Sequence, residues 1–196
     1  MKQILLAVLL LGTVAGCDSP SILAPEIKKE HPTVNLPLAL RQSNWRGPQG
    51  QGSCTWATMV SLLRWQGRYR TADWVRQNCG DGEWPDDMAQ KLDGATIRYA
   101  YVTNGDVKFL EWACLTRRGC GITIMGGVHM IALVYLDDKW AALLDNNAIE
   151  NYIWVPRETL IAEWKASLGW AIAPIYTPAA PLPQYRLSLF HKRGKQ

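Results

Sequence analysis

The sequence predicts an α+β fold: an N-terminal helical half that carries its most reactive residue at a helix N-terminus, packed on a C-terminal antiparallel sheet. Three observations lead there. Apolar residues recur at helical spacing from Cys54 to Leu92, and short apolar or alternating runs divided by turn residues take over after Gly121. The chain's 196 residues, 48% of them hydrophobic, suffice for one ordinary core and exclude a disordered composition.

Read from its start, Met1-Lys2-Gln3 is a short positive segment, and Ile4 to Val14 is an apolar run too short to span a bilayer as a helix. This is the pattern of a secretory signal over residues 1–16. Val14-Ala15-Gly16-Cys17 resembles the lipobox of bacterial lipoproteins, which implies cleavage before Cys17 and a diacylglyceryl group on its thiol. The implied location is extracytoplasmic, anchored to a bacterial membrane. In the enteric lipoproteins that this signal resembles, an Asp such as Asp18 goes with retention on the inner membrane. Residues 17–43, with Pro20, Pro25, Pro32 and Pro37 among polar residues, read as an extended tether.

From Asn44 the pattern tightens into a domain over residues 44–176. Trp56, Met59, Leu62, Leu63 and Trp65 make Cys54 to Gln66 a helix, stopped by Gly67. Thr71 to Cys79 and Pro85 to Leu92 are two short helices, the second opened by a proline and two acidic residues that suit a first turn. Thr96 to Val102 is β-branched and aromatic, hence a strand, and Asp106 to Leu115 returns to helical spacing. Strands follow at Gly121–Met125, His129–Leu136, Trp140–Leu144, Tyr152–Val155 and Trp170–Ile175, with Asp137-Asp138 as a hairpin turn and one more helix over Pro156–Ser167. Residues 177–196 form a Pro-rich and basic tail.

Chemistry concentrates in Gly47-Pro48-Gln49-Gly50-Gln51-Gly52-Ser53-Cys54-Thr55-Trp56-Ala57-Thr58. A Gly-rich loop here runs into a helix whose first turn holds Cys54, and the unpaired N–H groups of a helix N-terminus favour thiolate over thiol. His129 heads a strand, and Asp145 ends the next one across the hairpin, so both fall at one end of the sheet. The other histidines, His31 and His191, lie in the tether and the tail, which leaves His129 as the candidate base.

Gln51-Gly52-Ser53-Cys54-Thr55-Trp56-Ala57 resembles the nucleophile segment of papain-like cysteine peptidases. The intervals to His129 and Asp145 are closer to the compact bacterial branch that trims double-glycine leader peptides than to papain. That resemblance implies a papain-like fold and a Cys-His-Asp triad of Cys54, His129 and Asp145, with Asn146 as an alternative to Asp145. It implies hydrolysis of peptide or amide bonds through a thioester, and a glutamine whose side chain helps bind the oxyanion. The family's glutamine precedes the cysteine by six positions, where this chain has Pro48; Gln49 is the first candidate in its place and Gln51 the second.

The remaining features bound the function. A net charge of +4 from scattered Lys and Arg makes no case for a nucleic-acid partner; the expected partners are a peptide or protein substrate and the membrane. The cysteines lack the paired C-x-x-C spacing of a zinc site, and the peptidase resemblance implies no metal or organic cofactor. In an oxidising compartment two of Cys79, Cys114 and Cys120 are expected to pair, with Cys114–Cys120 plausible across a turn and Cys79 with either as the alternative. Trp65, Trp112 and Trp164 are expected in the core, while Trp45 and Trp56 flank the nucleophile, and one of them is a candidate for the substrate groove. The same residues suit two rival functions: transglutaminase-like or peptidoglycan-amidase acyl transfer, and an inactive adaptor of the same fold.

Overall fold

A computed structural model describes residues 31–176. The expected signal peptide, the lipidation site at Cys17 and the Pro-rich and basic tail lie outside the described residues. Within them the order is α1 (Cys54–Trp65), α2 (Tyr69–Asn78), α3 (Pro85–Gly94), β1 (Tyr99–Val102), α4 (Val107–Leu115), β2 (Cys120–Ile124), β3 (His129–Leu136), β4 (Trp140–Leu144), β5 (Ile153–Pro156), α5 (Arg157–Ala166) and β6 (Ala171–Pro174). The fold is α+β, with three helices leading into a sheet in the second half of the chain.

All six strands form one antiparallel sheet in the order β1-β6-β2-β3-β4-β5. Alternation along the central strands decides which helices cover which face. Ile131 and Leu133 of β3, Ala141 and Leu143 of β4 and Ala171 and Ala173 of β6 pack with Leu110 and Ala113 of α4 and Leu160 and Trp164 of α5. Met130 and Ile172 point the other way, into a core made with Trp56, Met59, Val60 and Leu63 of α1. The sheet is therefore sandwiched, α1 to α3 on one face and α4 and α5 on the other. Register shifts between Leu133 and Tyr135 of β3, and this bulge keeps Val134 and Tyr135 both in the cluster that holds Ala142 and Leu144.

Several boundaries move for local reasons. β1 begins at Tyr99 rather than Thr96, because Thr96 takes a left-handed conformation (φ 54°) and the Ile97 N–H closes the end of α3 on Leu92 O. β2 ends at Ile124, and Met125, Gly126 and Gly127, all at positive φ, form a tight turn before β3. Gly127 sits at φ 92°, where any side chain would be strained.

The domain also begins before Asn44. Val34, Leu36 and Leu40 lie against Leu62, Trp65, Ala132, Val134 and Leu144, with Leu36 fully buried. Arg41 fastens this segment by donating to Leu36 O, Ile149 O and Glu150 O while its guanidinium rests 4.3 Å from the Tyr152 ring centre. The prolines suggest a tether; Val34, Leu36 and Leu40 are the residues that dock, while Leu38 stays exposed.

Candidate active site

Cys54 occupies the first position of α1, and the residue before it is a cap in position only. Ser53 donates its hydroxyl to Asn44 Oδ1 (2.9 Å) and accepts the Trp45 N–H (2.8 Å), and it makes no capping bond to the helix. No acidic residue stands in the first turn. The N–H groups and positive dipole end of α1 therefore remain available to whatever negative charge forms at Cys54.

His129 stands at the head of β3, beside Cys54, because α1 packs directly on β3. The turn that delivers it is tied to α5: Met125 N–H donates to Glu163 Oε1 (2.8 Å) and Gly126 N–H to Ser167 Oγ (2.9 Å). Asp145 follows β4 and brings Oδ1 to 3.0 Å from His129 Nε2. The other ring nitrogen, Nδ1, is left for the Cys54 thiol, with which the ring shares a hydrogen bond.

The electrostatics follow from these contacts. Burial pushes the Cys54 thiol up, but the hydrogen bond to His129, a backbone N–H from Met130, the charge of the ring and a backbone N–H from Thr55 outweigh it, and its pKa falls below the ordinary value. His129 moves the opposite way: the Cys54 hydrogen bond raises it, burial opposes, and Asp145 raises it again. The other described cysteines have no such partner. Burial holds Cys79 up at about 11 and pushes Cys114 and Cys120 above their ordinary range.

Sequence expectation and structure part company at four places. Asn146 is no alternative to Asp145: its Nδ2 is buried and donates to Cys54 O (3.1 Å), Thr58 Oγ1 (3.1 Å) and Met130 O (2.7 Å), bracing α1 against β3 away from the ring. Gln51, not Gln49, lines the cleft beside Cys54. Both backbone N–H groups are held by the Asp81 carboxylate, but Gln49 sits toward the exposed tip, next to Gly50 at φ 82°. Neither Trp45 nor Trp56 enters the cleft, since Trp56 is wholly buried and Trp45 lies under the Arg76 guanidinium. Cys114 and Cys120 are free thiols, as is Cys79, so the expected bridge is not formed.

The cleft measures about 180 Å³. One wall is Gly82-Glu83-Trp84, from the loop before α3, and the other is Gly127-Val128, with Cys54, His129 and Trp170 between them. Trp84 is 62% and Val128 76% exposed, so each rim offers apolar surface to solvent. Lys91 neutralises Glu83 in an ion pair, and the Glu83 N–H reaches Thr55 Oγ1, fixing that wall to α1. Among the described residues no group of His, Cys, Asp and Glu is arranged to hold a metal ion.

No family model matches this chain, and no curated protein does. Among solved structures, a crystal structure of a double glycine motif protease from AMS/PCAT transporter in complex with the leader peptide is similar at 15% identity, with a TM-score of 0.46, over 63% of this chain and 85% of that one.

Proposed function

We propose that the protein is a papain-like cysteine peptidase in which Cys54 is the nucleophile, His129 the general base and acid, and Asp145 the residue that orients the ring. The observation that carries this reading is the alignment of three groups: Cys54 at the start of α1 shares a hydrogen bond with the His129 ring, whose Nε2 lies 3.0 Å from Asp145 Oδ1, and the contact moves the Cys54 and His129 pKa values toward each other. An ordinary cysteine near 9.0 beside an ordinary histidine near 6.5 would lose the imidazolium before gaining the thiolate. Here both shifts run in the direction that favours the thiolate–imidazolium pair.

In the reaction the Cys54 sulfur attacks the scissile carbonyl carbon, forming a C–S bond as the carbonyl π pair moves to oxygen. Collapse expels the amine, which takes the proton from His129 Nδ1, and leaves a thioester. Water, deprotonated by His129, then hydrolyses the thioester and returns the thiol. The oxyanion is bound by the Cys54 N–H, a first-turn donor without an acceptor inside the helix, and by the Gln51 side chain. A two-walled cleft with apolar rims suits an extended peptide. With the signal and lipobox at residues 1–17, the enzyme would act outside the cytoplasm from a membrane anchor.

Iodoacetamide titration tests the reading directly. At neutral pH Cys54 is expected to alkylate first among the described cysteines, and without reductant, while His129→Ala removes that selectivity. Slow labelling of Cys54, or labelling indifferent to His129, would refute the ion pair. The glutamines separate in kcat: Gln51→Ala is expected to lower it about 10²- to 10³-fold, as loss of one oxyanion donor does elsewhere, and Gln49→Ala to leave it near wild type.

A further inference from the structure

The ring nitrogen that meets Asp145 has a second neighbour. Asn147 Nδ2 lies 3.4 Å from His129 Nε2, and the Asn147 N–H donates to Asp145 Oδ1 at 2.8 Å. Which end of the Asn147 amide faces the ring is decided some distance away. The Ser53 backbone N–H can only donate, and it lies 2.7 Å from Asn44 Oδ1, so that atom must be the acceptor end. The other end of Asn44 is then an NH₂ group, which donates to Asn147 Oδ1 at 3.1 Å. Asn147 is left presenting a donor to Nε2.

An N–H aimed at Nε2 opposes a proton on that nitrogen, whereas Asp145 favours one. The charged groups facing the ring are Cys54 from α1 and Asp145 from the turn after β4; Glu83 and Lys91, paired with each other, stand at the opposite wall.

We infer that Asn147, locked by Asn44, is a positioning residue that moderates the hold of Asp145 on the His129 proton. Its catalytic consequence rests on the peptidase reading: an imidazolium held less tightly is a better acid toward the leaving amine. The electrostatic effect itself is a property of the resting ring and needs no substrate. The chain Ser53–Asn44–Asn147–His129 thus makes the loop before the nucleophile set the protonation of the base.

The test is a pH titration of the His129 ring by NMR in the full-length protein labelled with ¹⁵N-histidine, its signals assigned by their loss in His129→Gln. Asn147→Ala is expected to raise the His129 pKa by about half a unit, and Asn147→Asp, which places a carboxylate at the same point, to raise it further. If Asn147 only supported the turn, its loss would free Asp145 and lower the pKa. An unchanged or lowered value in Asn147→Ala therefore overturns the inference. Asn147→Ser, too short to reach the ring but favourable in a turn, serves if the alanine variant does not fold. A raised pKa in a protein that hydrolyses no amide would sink the peptidase reading and leave this one standing.

Discussion

Cys54→Ala and His129→Ala are each expected to lower kcat/KM for peptide hydrolysis by about 10⁴-fold or more, because the nucleophile and its base act as a unit and removing either forfeits nearly the whole of their contribution. Both side chains line the cleft and are only partly buried, with Cys54 also touching the core below it, so the thermal unfolding midpoints should move far less than the activity. The pH profile supplies an independent check. Activity requires the thiolate, gained as pH rises through the lowered Cys54 pKa, and the imidazolium, lost as pH rises through the raised His129 pKa. The expected profile is a bell, and in Asp145→Ala its alkaline limb moves to lower pH, since one of the groups holding the proton on the ring is gone. A Cys54→Ala protein that kept full biological effect would instead favour an adaptor.

The sequence carries the elements and the approach of Cys54, His129 and Asp145 to one another well, because both are written locally. Helical spacing after a Gly-rich loop places Cys54 at a helix start, and alternation around Asp137-Asp138 brings His129 and Asp145 to one end of a hairpin. What it does not carry is set by contacts distant in the chain. Gln49 and Gln51 are indistinguishable by spacing; the choice is made by Asp81, thirty-odd residues on, whose carboxylate gathers both N–H groups and leaves only Gln51 beside the cleft. Gly47 shows how tightly that crossing is made, since a Cβ there would fall 2.3 Å from the Gly80 carbonyl carbon. Trp84 and Trp170 reach the cleft from a loop before α3 and the start of β6, where no local pattern announces them. Asn44 and Asn147 are invisible for the same reason, being ordinary turn residues until the fold sets them side by side.

Asp145 and Asn146 should fail in different ways although they are neighbours in the chain, and Asn146 carries the largest expected effect on stability. Its amide is the common donor to Cys54 O in α1, Thr58 Oγ1 one turn later and Met130 O in β3, all in a region closed to solvent. Asn146→Ala takes the shortest donor from Met130 O, which keeps only the longer Thr58 hydroxyl bond (3.3 Å), and leaves Cys54 O with its helical partner alone, so the cost is that of weakened buried hydrogen bonds. A loss of about 1–3 kcal/mol is expected in urea or thermal unfolding, a sizeable share of the stability of a domain this size. Asn146→Asp should be no better, because it replaces the donor with a carboxylate facing oxygen atoms. Asp145→Asn, by contrast, removes charge from a side chain that is 22% exposed but keeps an oxygen for the Asn147 N–H, so it should change the pH profile and cost less stability than Asn146→Ala. If Asn146→Ala proved as stable as wild type but slow, Asn146 would belong to the reacting set after all. Cys54 and His129 lie on different elements, and the Asn146 amide ties those two elements together next to the reacting atoms, so a stability loss there should also widen their separation and lower kcat in proportion to the population no longer braced.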